Sequence, residues 1–300
     1  MTLSELVDEF IIYISTIKGF SENTIIGYRN DLKKFQEYLT PTIDIEKITK
    51  ENIHLCIGQL SSEHKSIASE NRFISSVRSL FSYARSFSYL AHNPALDIKT
   101  IKKAKQTPKF LTQEEMNTLC KEPQVNELLW EKRDRAIFTM LYSSGCRISE
   151  MCSLKLSDFM DNYHSAIVTG KGNKQRKVFF EEESRKALAL YLEDRKKVLL
   201  ANGIQTPTAN LFINQKGQAL SVGGMRYIIS RYSGNEGTKK HVNPHAFRHT
   251  FATTLISNGA DVRYVQEMLG HSSISTTQRY THVTTERLID IYNKAHPHSR

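Results

Sequence analysis

At 300 residues the chain can form one large domain or two of ordinary size, and its 39% hydrophobic and 24% charged residues fit a globular protein with a real core. The longest apolar run near the start, Phe10 to Ile14, is far too short to cross a bilayer, and no basic leader precedes it; Cys56, Cys120, Cys146 and Cys152 show neither paired spacing nor a CxxC. A membrane span, a secretory leader and a disulfide framework are thereby excluded in favour of a cytoplasmic protein with reduced thiols. The formal charge of +10 is uneven: residues 1–105 hold 14 basic and 12 acidic side chains and the remainder 27 and 19, an excess that favours a polyanionic partner.

The first hundred residues read as helices. Leu3, Leu6, Val7, Phe10, Ile11 and Ile14 recur at helical spacing, and Gly19 closes that segment. Ser21 opens a second helix with Ile25, Tyr28, Leu32, Phe35 and Leu39 on one face, ending before Pro41. Thr49 caps a third, containing Ile53, Cys56, Ile57 and Leu60. A fourth runs from about Ser66 to Leu90, with Phe73, Val77, Leu80, Phe81 and Ala84 on its stripe and Arg72, Arg78 and Arg85 off it. Four amphipathic helices make a small bundle, residues 1–98. Asn93-Pro94 then breaks the pattern, and residues 99–108 (KTIKKAKQTP), without an apolar period, read as an exposed basic linker.

A second domain, residues 109–300, opens on a capping box formed by Thr112 and Glu115. Ala136, Ile137, Met140 and Leu141 stripe a helix that ends at Gly145, with Arg147 on the next short turn. Ser165–Thr169 and Lys177–Phe180 are strand-like and joined by a turn at Gly170-Lys171-Gly172-Asn173. Glu182 to Leu200 is helical, as is the remainder apart from loops near Pro207 and Gly234–Gly237. The fold class is therefore mainly α, with a small antiparallel β-sheet in the C-terminal domain. Thr284 and Thr285 open a last short helix carrying Leu288, Ile289, Ile291 and Tyr292; too short to persist alone in water, it must dock somewhere.

Chemistry concentrates between Val242 and His282. Asn243 as N-cap and Pro244 at the first helical position start a helix whose first turns carry His245 and Arg248 on one face. A guanidinium and an imidazole at a helix N-terminus make an anion site, because the backbone N–H groups and the dipole add to the side-chain charge. Asn258-Gly259 ends that helix; Asp261 starts the next, which stops at Gly270 with His271 just beyond, and Ser275 can cap a short helix bearing Tyr280. His245 and His249 have a zinc-binding spacing, but a hydrolytic zinc helix needs a carboxylate base, and Ala246, Phe247 and Arg248 lie between them, so no metal is expected. Further cations stand at Arg147, with Glu150 three residues on to hold it, and at Lys171 between two glycines. No nucleotide-binding motif is present. Alone, Tyr280 would read as a packing residue and Arg248 as a surface ion-pair partner.

Together the stretches SSGCRISEM, TGKGNKQR, PHAFRHTFATTL and LGHSSISTTQRYTHV resemble, in order and spacing, the catalytic set of tyrosine recombinases. GFSENTIIGYRNDLKKF resembles the core-DNA-binding domain of the same family, so the likeness covers nearly the whole chain, and the ending IYNKAHPHSR is similar to that of bacterial Xer recombinases. Departures are small: Phe247 and Cys146 stand where Leu is usual, and His298 where Arg is common.

The resemblance implies a two-domain enzyme, a helical core-binding domain plus a catalytic domain, that cuts and rejoins DNA through a 3′-phosphotyrosyl intermediate. Tyr280 would be the nucleophile; Arg147, His245, Arg248 and His271 would stabilise the charge building on the phosphate, and Lys171 would protonate the leaving 5′ oxygen. A phenol of pKa about 10 is ionised roughly one part in a thousand at neutral pH, a cost of about 4 kcal/mol that clustered cations and a proton acceptor can offset. The phosphotyrosyl bond conserves the energy of the broken phosphodiester, so no ATP, metal or other cofactor is required. Partners implied are double-stranded DNA with a specific site, a homo- or hetero-tetramer on that DNA, a second Xer recombinase and a DNA translocase, with chromosome-dimer resolution at cell division as the role. In such a tetramer the last helix would dock on the neighbouring subunit; the alternative is its own domain. Arg72, Arg78, Lys174, Arg176, Lys239 and Lys240 are the candidate DNA contacts. Rival readings are a mobile-element integrase or DNA invertase of the same family, a type IB topoisomerase, and a DNA-binding regulator that has lost cleavage.

Overall fold

The computed structural model describes residues 1–102, 111–126, 128–233, 242–270 and 285–297, without the side chains of Lys171 and residues 285–287. Two compact units divide the chain, Met1–Thr107 and Pro108–Arg300.

The first unit contains four helices, α1 (Leu3–Ile12), α2 (Glu22–Leu39), α3 (Lys50–Ser62) and α4 (Ile67–Ser86). Capping boxes start two of them, Thr2 with Glu5 and Thr49 with Asn52, so orphan N–H groups of the first turns are satisfied locally. α1 widens at its end into a π-helical turn, Tyr13–Ile17, where the hydroxyls of Ser15 and Thr16 both donate to the Ile12 carbonyl, at 2.9 and 2.7 Å. Phe35 meets Phe73 and Phe81 edge-to-face in the centre of the bundle. α4 stops at Ser86, four residues short of the expected end. Ser88 adopts a left-handed φ of +61°, the Tyr89 N–H bonds back to the Ala84 carbonyl, and Tyr89 folds over Tyr83 and Phe87. The expected exposed linker also begins later than its sequence suggests. Ile101 packs on this core, and its backbone N–H and C=O are both bonded by the Asn71 side-chain amide, at 2.7 and 3.0 Å.

The second unit is built around α6 (Glu131–Ser144), buried on nearly every face and packed by α5 (Gln113–Val125), α8 (Glu182–Ala201) and α10 (Pro244–Ser257). Its Asp134 is fully buried and accepts from Arg133, the Trp130 backbone and the hydroxyl of Tyr232 on α9 (Val222–Tyr232), which joins those two helices through a satisfied polar node. After α7 (Ile148–Ser153) comes a three-stranded antiparallel sheet in the order β1 (Phe159–Met160), β2 (Ser165–Thr169), β3 (Gln175–Phe179). The two-residue β1 is too short to leave a periodic signal in the sequence. Between α8 and α9 the chain is irregular, and α8 supplies its hydrogen bonds: Arg195 donates to the carbonyls of Thr208, Asn210 and Leu211, while the Tyr191 hydroxyl accepts from the Ile213 N–H.

α11 (Val262–Leu269) and α12 (Thr285–Ala295) close the unit. α12 docks on its own unit. Tyr292 and Ala295 join a cluster with Phe179, Phe251, Leu255 and Leu269; the Tyr292 hydroxyl lies 2.9 Å from Ser143 Oγ and donates to the Ser143 carbonyl at 3.0 Å. His296 stacks on the Tyr292 ring at 5.0 Å, and Asn258 donates to the Ala295 carbonyl. All four cysteines are free and buried, and burial pushes the thiols of Cys56, Cys146 and Cys152 up to about 11, which keeps them inert. Among the described residues no helix is long and apolar enough to cross a membrane.

Candidate active site

The end of α6 sets up the site. Gly145 caps that helix with a left-handed φ of +59°, and a Cβ there would lie 2.5 Å from the Phe251 ring, so both backbone angle and space require glycine. The reversal delivers Arg147 as N-cap of α7. Glu150, three residues on, accepts from the Arg147 backbone N–H at 2.8 Å and from its guanidinium at 2.9 Å. The Arg147 side chain remains 35% exposed while the Glu150 side chain is only 2% exposed, so the carboxylate grips the cation from beneath and leaves it facing outward.

Arg248 comes from the second turn of α10. Asn243 accepts the Ala246 N–H and starts the helix, with Pro244 at the first position, as the sequence predicts. The Arg248 guanidinium is buried and donates to two carbonyls that end other helices: Gly145, at 2.9 Å, and Leu269, at 2.6 Å. No carboxylate among the described residues pairs with it directly. His245 lies exposed at the start of the same helix.

The hairpin supplies a third guanidinium. β2 and β3 pair with Val168 opposite Arg176 and Ala166 opposite Val178, so Arg176 shares the inner face with buried valines and alanine. An arginine on that face needs an anion, and it finds Glu150: two parallel bonds of 2.9 and 2.8 Å join guanidinium and carboxylate, while Nε donates to the Met268 carbonyl at 2.9 Å. The turn beyond is closed by the Gly170 N–H on the Lys174 carbonyl at 2.8 Å, and Lys171 opens its single 3₁₀ turn, Lys171–Asn173.

Arg147 and Arg176 thus share one carboxylate, and Arg248 lies near enough to be repelled by both guanidiniums, so three cations and one anion leave a local formal balance of +2. Burial alone would raise the Glu150 carboxyl, but the bonds from Arg176 and Arg147 outweigh it and hold the group below the usual carboxylate range. Burial, and then repulsion from Arg147 and Arg176, pushes Arg248 down to about 10, still charged at neutral pH. Among the described residues the cluster carries a surplus of positive charge, an environment that can stabilise an anionic group such as a phosphate.

Of the residues singled out from sequence, Arg147 and Arg248 come together and His245 stands at the head of the helix that carries Arg248. The Lys171 side chain, His271, Tyr280, Lys239 and Lys240 lie outside the described residues. Among the candidate DNA contacts, Lys174 is exposed. Arg78 reaches the Leu96 carbonyl at 3.5 Å. Arg72 grips buried Asp31 through Nε and NH2, at 2.9 and 2.8 Å, yet its side chain is 60% exposed. Arg176, grouped with these by its proximity to the turn, has a side chain only 11% exposed and a guanidinium committed to Glu150 and Met268. Strand alternation carried that signal, two residues from Val178 on the inner face. The carbonyls of Gly145, Met268 and Leu269 left no signal, because backbone acceptors have no identity in a sequence.

Residues 109–287 match the model of the phage integrase family, and residues 7–86 that of the phage integrase N-terminal SAM-like domain. A tyrosine recombinase XerC of Treponema denticola is 41% identical over 99% of this chain and 100% of its own length. A tyrosine recombinase XerD of Staphylococcus epidermidis is 38% identical over 98% and 99%. Among solved structures, the Tn1549 transposon integrase in complex with transposon right-end DNA superposes with a TM-score of 0.75 over 97% of this chain and 98% of that one; at 20% identity this bears on the fold alone. The chain belongs to the tyrosine recombinases of the phage integrase family. Its full-length relatives carry Xer names, and its activity is site-specific recombination by breaking and rejoining DNA strands.

Proposed function

We propose that this recombinase resolves chromosome dimers before cell division, acting in the cytoplasm on a specific double-stranded site as one member of a tetramer, with a second Xer-type subunit and a DNA translocase as partners. The helical first domain, extended to Ile101, binds the core of the site, the basic stretch from there to residue 108 links, and residues 109–300 carry catalysis. Tyr280 attacks the scissile phosphate; Arg147 and Arg248, with His245 and His271, hold its nonbridging oxygens; His245 accepts the phenol proton and Lys171 protonates the leaving 5′ oxygen. Lys174, Lys239 and Lys240 contact DNA phosphates in the catalytic domain, and Arg72 and Arg78 contact them in the first. No metal or cofactor enters.

The observation that supports this reading most is the cluster of three guanidiniums around a single carboxylate, with Arg248 hydrogen-bonded to carbonyls only and its charge left unpaired among the described residues. Burial on carbonyls is not peculiar to Arg248, since Arg195 on α8 is held the same way; what sets Arg248 apart is the repulsion from Arg147 and Arg176 that its position incurs. The nucleophile is tested with Tyr280→Phe on a nicked suicide substrate. Normal DNA binding without a covalent adduct is expected; a persisting adduct would assign the attack to another residue.

A further inference from the structure

Arg176 lies on the inner face of β3, where its guanidinium is held by the Glu150 carboxylate on one side and the Met268 carbonyl on the other. Two glycines form the walls of this slot. A Cβ on Gly170 would lie 3.0 Å from Glu150 Oε1, and a Cβ on Gly270 would lie 3.1 Å from Arg176 Cδ. The hairpin, the start of α7 and the end of α11 therefore meet through one side chain. Glu150 accepts four hydrogen bonds, two from Arg176 and two from Arg147, which use both of its oxygens.

We infer that Arg176 is a positioning residue: by saturating Glu150 from the hairpin side it fixes the rotamer of the carboxylate that holds Arg147, and it ties the strand that leads from Lys171 to the same anchor. Without Arg176, two acceptor sites on a buried carboxylate lose their donors, and the carboxylate turns toward the remaining cation. Arg147 is then drawn down and misaligned with the phosphate. Lysine cannot substitute, because a single ammonium donates neither the parallel pair to Glu150 nor, at the same time, the third bond to Met268. A displacement of about 1 Å in a group that orients a reacting centre costs on the order of a hundredfold in rate.

This inference rests on the reading of Arg147 as a phosphate ligand, and a double-mutant cycle separates the two. Single-turnover cleavage of a nicked substrate is measured for wild type, Arg176→Lys, Arg147→Ala and the double variant, with site affinity and thermal unfolding alongside. Arg176→Lys should bind DNA within about threefold of wild type and cleave it roughly 10²-fold more slowly. In the Arg147→Ala background the same change should have almost no further effect, since the group it positions is gone. An equal slowing in both backgrounds would overturn the role of Arg176, as would an unaltered rate in Arg176→Lys. A wild-type rate in Arg147→Ala would instead overturn the underlying assignment of the anion site. If Arg176→Lys fails to fold, Gly170→Ala completes the cycle: its methyl presses on the carboxylate from the hairpin side at an ordinary backbone φ, and its slowing should likewise vanish with Arg147 absent.

Discussion

Arg248 is held in place by two carbonyls, and this determines what its removal should do. Arg248→Ala and Arg147→Ala are each expected to slow cleavage by roughly 10²–10³-fold while leaving site affinity within about tenfold. The two differ in stability: losing Arg248 leaves the buried carbonyls of Gly145 and Leu269 without their donor, at about 1–3 kcal/mol each, whereas Arg147 is a third exposed and its loss is milder. Single-turnover cleavage beside thermal unfolding separates these effects. A collapse of binding with unchanged cleavage of bound DNA would reduce both arginines to phosphate positioning. At this scale Arg147 and Arg248 were legible as candidates through the motifs that carry them, since either arginine alone would read as an ordinary ion-pair partner. Arg176 was grouped with the DNA contacts by its proximity to the turn; the strand alternation that turns it toward Glu150 was the signal not used.

A second residue works through protonation. Glu181 is the N-cap of α8, accepting from the N–H groups of Glu183 and Ser184 at 2.6 and 3.0 Å, and burial pushes its carboxyl up from 4.5 to about 7 against the pull of those bonds. Its folded value lies above its unfolded one, so its contribution is complete below about 4.5 and is lost as pH rises through about 7. The full loss is at most about 3 kcal/mol. Glu181→Gln keeps an acceptor without the charge, so its stability relative to wild type should improve from about pH 4.5 to about pH 7 and level off above. Denaturant unfolding at both ends of that window measures it; a difference independent of pH would mean that the carboxyl stays ionised in place.

At the level of elements, helix starts were easier to read than helix ends. Thr49, Thr112 and Asn243 each cap where a side-chain oxygen meets a first-turn N–H, a relation confined to three or four residues. The end of α4 depends on Ser88 taking a left-handed angle so that Tyr89 can reach Tyr83, a tertiary preference that apolar periodicity through Leu90 conceals. The docking of α12 was left open between its own domain and a neighbour, and in the structure it covers Phe251 and Leu255 of its own unit. Truncation after Val283 should therefore destabilise the catalytic unit itself, by at least about 3 kcal/mol from the apolar surface it uncovers. The thermal midpoint should fall by roughly 6–12 °C, since each kcal/mol shifts a domain of this size by about 2–4 °C. An unchanged midpoint, with only cooperative assembly lost, would favour docking on a neighbour in solution.

Across the whole molecule, each of the two units has its own buried core, and one of the two matched family segments falls in each. Four motifs scattered over more than a hundred residues were legible as one site only through their likeness to a family, since no local pattern says that the end of α6, a hairpin and the end of α11 will converge. That convergence leaves three positive groups around one negative one, and the surplus gives the empty enzyme and its complex opposite responses to salt. Mobile ions screen the attraction between protein and duplex, so DNA affinity should fall as sodium sulfate is raised. In the absence of DNA the same sulfate can occupy the place of the missing phosphate, and by mass action the catalytic unit should melt at a higher temperature. Sodium chloride at equal ionic strength should weaken DNA binding similarly but raise the melting temperature much less, because a monovalent spherical ion cannot bridge Arg147 and Arg248. In Arg248→Ala the sulfate advantage over chloride should shrink to the general stabilisation that an excluded anion gives any folded chain.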